Sequence, residues 1–215
     1  MVVEQFAVGG DRNFGYLVAD ETSAKAAVID PCYSPDMIVD YARQKNWAIV
    51  YSFNTHQHYD HTNGNQYIRD HLGIPTLAWG SRTDDGTLIE DGTVLPLGKL
   101  ELHIIHTPGH TADSICIYVP GTPGAVFTGD TLFVGKVGGT DYGENARREY
   151  DSLHQKLMRL PDDTVVWPGH NYGVAPSSTI ANEKQTNPFL LQPDFNAFVD
   201  LKRNWLEYKR KHGIA

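Results

Sequence analysis

Thr55-His56-Gln57-His58-Tyr59-Asp60-His61 places three imidazoles and a carboxylate within six positions, directly after the apolar run Ala48-Ile49-Val50-Tyr51-Ser52-Phe53. Neutral imidazole nitrogen and carboxylate oxygen are the donors that a borderline divalent cation prefers. His56 and His58 stand two apart, so in extended backbone their side chains leave the same face. Asp60 and His61 are adjacent, and neither a regular strand nor a regular helix aims neighbours the same way. The stretch is therefore expected to be an irregular loop at a strand end, able to serve two neighbouring metal positions.

The composition around this loop narrows the function classes. At 215 residues and 24.0 kDa, the chain has the length of one ordinary domain with a substantial two-layer core. Hydrophobic content of 40% and charged content of 20% are those of a soluble globular protein. A formal charge of -8, without any basic run, argues against nucleic acid and anionic membranes as partners. Met1-Val2-Val3-Glu4-Gln5-Phe6 lacks a positive segment followed by an apolar one, so no secretory leader is legible. No apolar stretch is long enough to span a bilayer. Cys32 and Cys116 are too few for a disulfide framework and lie in no metal-binding spacing, so a cytoplasmic setting is expected.

Along the chain, Val3 to Val8, Phe14 to Ala19 and Ala24 to Asp30 read as short strands, broken by Gly9-Gly10-Asp11 and Asp20-Glu21-Thr22. Pro35 to Asn46 has helical spacing, with Ser34 as its cap and Pro35 in its first turn. A strand then delivers the histidine loop, and Asn63-Gly64-Asn65 opens a helix ended by Gly73. Pro75 to Ala78, Leu95 to Ile105, Ser114 to Val119, Ala125 to Thr128 and Thr164 to Trp167 are further strands. Ser81 to Gly92 reads as loop, and Gly121-Thr122-Pro123-Gly124 as a tight turn. Glu149 to Leu160 is amphipathic, with Tyr150, Leu153, Leu157 and Leu160 on one stripe. Helices are expected from about Ser178 to Thr186 and from Asp194 to Lys211. Two groups of strands with helices between and outside them predict an αββα sandwich of the α/β class.

More metal donors stand at strand ends: His110 in His106-Thr107-Pro108-Gly109-His110-Thr111, Asp130 in Thr128-Gly129-Asp130-Thr131-Leu132-Phe133, and His170 in Pro168-Gly169-His170. A glycine precedes each, which lets backbone turn sharply beside a crowded centre. Together with Thr55-His56-Gln57-His58-Tyr59-Asp60-His61, these motifs resemble the metallo-β-lactamase-fold superfamily of metal-dependent hydrolases, in order and over nearly the whole chain. Within it the chain looks like the glyoxalase II (hydroxyacylglutathione hydrolase) branch and its relatives, the persulfide dioxygenases.

That resemblance implies residues 1–215 as one metallo-β-lactamase-like domain, with a short helical C-terminal segment over about 178–215. It implies two mixed sheets flanked by helices, with two divalent metal ions between them; zinc is expected first, iron or manganese otherwise. His56, His58 and His110 would hold the first ion, Asp60, His61 and His170 the second, and Asp130 would bridge them. Asp60 and Asp130 are the expected catalytic carboxylates. The implied reaction is attack on a thioester, such as an acylglutathione, by a hydroxide generated at the metals. A thiolate leaving group, whose conjugate acid has a pKa of about 8.5, needs no evident general acid. The alternative is a persulfide dioxygenase with one iron at His56, His110 and Asp130. Tyr172 stands where glyoxalase II has a glutathione-contacting tyrosine, whereas Gly139 stands where both relatives usually carry Lys or Arg. Asp30 either orients a ligand imidazole or merely ends a strand before Pro31. His71, His103, His106, His154 and His212 read as structural, and Lys184, Lys202 and Arg203 as solvated helix faces.

Overall fold

The computed structural model describes residues 1–213, so the last two positions of the expected C-terminal segment lie outside the described residues. β1 (Val2–Gly9), β2 (Asn13–Asp20) and β3 (Lys25–Ile29) form an antiparallel meander. α1 (Pro35–Gln44) then crosses to β4 (Ala48–Phe53), which runs parallel to β3. After α2 (Tyr59–Thr62) and α3 (Asn65–Leu72), β5 (Thr76–Leu77) completes a sheet in the order β1-β2-β3-β4-β5. β6 (Val94–Leu97), β7 (Leu100–His106), β8 (Ile115–Val119) and β9 (Ala125–Gly129) follow as antiparallel neighbours. β10 (Leu132–Phe133) and β11 (Lys136–Val137) make a small ribbon, and α4 (Glu144–Asp151) leads to β12 (Val165–Pro168), parallel to β9. β13 (Ser178–Thr179) edges this second sheet, and α5 (Ile180–Thr186), α6 (Phe195–Arg203) and α7 (Trp205–His212) end the described chain.

Side chains alternate across a strand, so a strand covered on both faces must be apolar throughout. β2 is buried at every position. Its Phe14, Tyr16 and Val18 meet Ile104, Ile117 and Phe127 of the second sheet, while Leu17 and Ala19 face Ile38 and Val39 of α1 and Ile68 of α3. The second sheet does the same in mirror fashion. Cys116, Val126 and Val166 point outward onto Ala146 of α4, Leu153 and Phe198 of α6. The result is helix, sheet, sheet, helix, the αββα sandwich expected from the strand pattern.

Several boundaries differ from the local reading. The expected strand from Leu95 to Ile105 is a hairpin, because Gly98 adopts φ 65° and turns the chain between β6 and β7. The Glu149–Leu160 helix begins five residues earlier as α4, then widens to a π turn over Ser152–Lys156 and tightens to a 3-10 turn over Leu157–Arg159. Ser178 and Thr179 pair with β12 before α5 starts, and the last expected helix breaks at Asn204 into α6 and α7. Ser34 stands at the N-cap of α1, but its hydroxyl donates to the Val8 carbonyl at 3.1 Å instead of capping the helix. The histidine stretch is irregular only through His58; Asp60 and His61 ride on the single helical turn of α2.

Candidate metal centre

Four strand ends open on one edge of the sandwich: β4 delivers His56 and His58, β7 delivers His110, β9 Asp130 and β12 His170. Backbone bonds tie these ends across the two sheets. Phe14 N donates to Gly169 O at 2.9 Å, and Ile115 N donates to Thr55 O at 2.8 Å. Glycine is required where the loops close in: a Cβ at Gly169 would collide with Asp130 Oδ1 and the His61 ring.

All seven predicted donors meet there. His58 Nδ1 lies 2.9 Å from His56 Nε2 and 3.0 Å from His110 Nε2. His61 Nε2 lies 3.2 Å from His170 Nε2. Asp130 Oδ1 is 3.4 Å from both His61 Nε2 and His170 Nε2, and its Oδ2 is 3.6 Å from His110 Nε2. Asp60 Oδ2 stands 3.4 Å from His170 Nε2 and 3.7 Å from His61 Nε2. Donor atoms fall into three overlapping groups, each within 4.8 Å: His56, His58 and His110; His56, His61 and Asp130; Asp60, His61 and His170.

Hydrogen bonds from behind aim four of the five imidazoles. His61 Nδ1 donates to Asp30 Oδ2 at 2.9 Å, His110 Nδ1 to Gly139 O at 2.8 Å and His170 Nδ1 to Asp11 O at 2.9 Å. His56 Nδ1 donates to Thr55 Oγ1 at 3.1 Å, since the Thr55 hydroxyl itself donates to Asp30 Oδ2 at 2.8 Å. Such outer partners fix both tautomer and ring direction. His56 and His110 thus turn bare Nε2 lone pairs towards His58 Nδ1, which carries at most one hydrogen. At least one of those two contacts is lone pair against lone pair. Buried Asp130 Oδ1 has no closer partner than the His61 and His170 Nε2 atoms at 3.4 Å, longer than a normal hydrogen bond. A cation answers both mismatches, so the residues fit a metal.

The charges are arranged to match. Burial and the neighbouring His61 push His56 down to about 3, so its ring is neutral. Burial opposes a charge on His61 as well, yet the carboxylates of Asp30 and Asp130 push it up to about 10. Burial also disfavours ionised Asp130, but His170 and His61 hold its carboxyl well below the usual range.

Other sequence-predicted residues fall differently. Asp30 orients the His61 ring and does more than end a strand, at φ 49° just past β3. Tyr172 stacks on His170 at 4.6 Å, and its hydroxyl donates to Asp11 Oδ2 at 2.6 Å. His106 stacks on Trp79, His71 bonds the Tyr67 carbonyl, His103 bonds Glu101, and His154 and His212 pack on Tyr150 and Tyr208. Lys184 pairs with Asp162 and Arg203 lies over Tyr142. Lys202 is no solvated face: its side chain is 6% exposed and pairs with Glu149. Asn13 carried no signal in the sequence, yet it is buried and donates to Asp60 Oδ2 at 3.1 Å. Glu149 did carry one, standing four positions before Leu153 on the apolar stripe of its helix.

Comparison with known proteins places this geometry in a family. The metallo-beta-lactamase superfamily profile matches residues 8–78 and 79–170. The hydroxyacylglutathione hydrolase of Polaromonas sp. is 38% identical over 180 residues, covering 80% of this chain and 67% of that one. A probable hydroxyacylglutathione hydrolase of Schizosaccharomyces pombe is 33% identical over 204 residues, covering 91% and 76%. The crystal structure of ETHE1 from Myxococcus xanthus superposes with a TM-score of 0.85 at 31% identity, covering 95% of this chain and 91% of that one. The chain belongs to the metallo-beta-lactamase superfamily, in the branch of hydroxyacylglutathione hydrolase-like proteins.

Proposed function

We propose that this enzyme hydrolyses a thioester of the acylglutathione type at two divalent cations, zinc first and iron or manganese otherwise. The supporting observation is the convergence of five imidazoles and two carboxylates, four of the imidazoles held from behind by hydrogen bonds. His56, His58 and His110 would hold one cation, Asp60, His61 and His170 the other, with Asp130 between them. When bound, such a pair polarises a carbonyl and lowers the pKa of a water towards neutrality. The chain's own residues prepare that chemistry. Asp130 stays ionised between the two positions. Asn13 and Asp30 hold Asp60 and His61 in place from outside. A departing thiolate, with a conjugate-acid pKa of about 8.5, asks no side chain for a proton.

An anionic substrate is supported by a cavity of about 590 Å³ beside Tyr172, where the cations Arg12, Lys136 and Lys209 outnumber the one carboxylate, Asp11. Lys136 Nζ and Arg12 Cζ each lie 4.7 Å from the centroid of the Tyr172 ring. Burial first, then Lys209 and Arg12, lower the Lys136 pKa against the pull of Asp130 and Asp11. Cations that repel one another across a cavity favour a carboxylate-bearing thiol half. A cytoplasmic setting belongs to the same proposal, supported by two free, buried cysteines. Among the described residues, no helix is long and apolar enough to cross a membrane.

The second reading, a persulfide dioxygenase with one iron at His56, His110 and Asp130, is favoured by the likeness to ETHE1. One experiment separates the two. Metal-reconstituted protein is assayed without oxygen for thiol release from an acylglutathione, and with oxygen for uptake on glutathione persulfide. Hydrolysis requires anaerobic thiol release. Oxygen consumption stoichiometric with persulfide, with no thioester cleavage, would overturn it.

A further inference from the structure

The loop after β7 that carries His110 is shaped by α4 and by α6, which lies near the far end of the described chain. Gly139 O accepts the Nδ1 hydrogen of His110 at 2.8 Å and so leaves Nε2 facing His58. One residue earlier, Gly138 O accepts from Lys202 Nζ, on α6, at 2.7 Å. The same ammonium pairs with Glu149 Oε2 on α4, and the two side chains are 6% and 0% exposed. Gly138 is wedged among the Asp130 carbonyl, the Glu149 carboxylate and His110 Cβ, and a Cβ at Gly109 would strike the Glu149 backbone. Ser152 Oγ closes the loop from the same side, donating to Pro108 O at 2.8 Å.

Burying two charges costs desolvation that an apolar pair would avoid, so stability alone does not account for this pair. Glu149 Oε1, buried without a hydrogen-bond partner, adds to that cost. What an apolar pair would lack is a donor for Gly138. We propose that Lys202, oriented by Glu149, is a positioning residue for His110: it pins the Gly138-Gly139 segment, so that the Gly139 carbonyl keeps the His110 tautomer and aims Nε2 at the first cation position. The inference rests on the two-metal reading above. It makes α6, which lies beyond the matched residues 8–170, a working part of the metal centre.

The test compares wild type, Lys202→Met and the double variant Lys202→Met/Glu149→Leu, each titrated with zinc against a chromophoric chelator. Lys202→Met should weaken one zinc equivalent about tenfold and the other less than about twofold, the low end of the ~10–100-fold carried by partners of metal-bound histidines, because a peptide intervenes. The double variant leaves no charge unpaired, so its thermal stability should return while the weakened equivalent persists. The His110 Nδ1 hydrogen, followed by nitrogen-15 NMR of the zinc form, should exchange faster in both variants. Recovery of zinc affinity together with stability in the double variant would reduce the pair to a fold element and overturn the proposal. Wild-type affinity at both equivalents in Lys202→Met would also overturn it. A wild-type protein that binds no zinc would instead refute the metal reading, and the proposal with it.

Discussion

Replacing Asp30 by Asn tests the orientation of the second metal position with almost no change of shape. Asp30 is 1% exposed and takes three hydrogen bonds: His61 Nδ1 at 2.9 Å and Thr55 Oγ1 at 2.8 Å on Oδ2, and Thr55 N at 2.8 Å on Oδ1. An amide keeps one acceptor and turns its NH2 on a donor, so at least one bond is lost and the others lose their charge. Hydrogen bonds to a charged group contribute about 1.5–3 kcal/mol each, which makes a loss of about 2–4 kcal/mol reasonable. For a chain of this length that is a fall in Tm of roughly 5–15 °C. With His61 no longer held, zinc affinity at its equivalent should fall about 10–100-fold, and at the His56 equivalent by less, because Thr55 stands between Asp30 and His56. Calorimetry of the metal-free protein reads the first effect, and chelator competition the second. A lowered Tm with zinc affinity unchanged at both equivalents would show that Asp30 only supports the fold, and the orienting argument would fail.

Asp130→Ala should lower zinc content at both equivalents and reduce turnover by more than the ~100-fold typical of outer partners, because its carboxylate faces both donor groups. Metal analysis beside steady-state rates decides this, and full occupancy with normal turnover would remove its bridging role. With the Asp30 and Asp130 carboxylates pushing it up to about 10 against burial, His61 is expected to be cationic in the metal-free protein at neutral pH. A raised folded-state pKa means stability fully present below 6.5 and lost as pH rises through about 10. Zinc must expel that proton, so its affinity should rise about tenfold per pH unit between ~6 and ~8. Calorimetric titration in buffers of different ionisation enthalpy counts the proton, and a count of zero contradicts the assignment. Lys136→Met should raise KM for a carboxylate-bearing thioester about tenfold, equivalent to about 1.4 kcal/mol, with kcat and the KM of an uncharged thioester unaltered. An equal effect on both substrates would take Lys136 out of anion recognition.

By itself the sequence determined the chemistry and the layers. The seven proposed metal donors are close together in the chain or sit directly at the ends of apolar strands, and the apolar run Phe14 to Ala19 that forms the middle of β2 is a local signal. The glycines before His110, Asp130 and His170 were legible as a repeated motif, but what crowds them, Glu149, Thr55, and Asp130 with His61, comes from distant parts of the chain. Only the tertiary structure decided what stands behind the proposed ligands. Asn13 and Asp60 are 47 positions apart, and Lys202 and Glu149 are 53 apart. Neither pair follows any period that a strand or helix imposes. Two of the supports, Gly139 O and Asp11 O, are backbone carbonyls, a group every residue carries and no sequence marks. Lys202 read as a solvated lysine because a helical position alone does not say whether another chain segment covers it. Here α4 does, and the cost of burying its charge is met by a carboxylate that only the folded chain brings within reach.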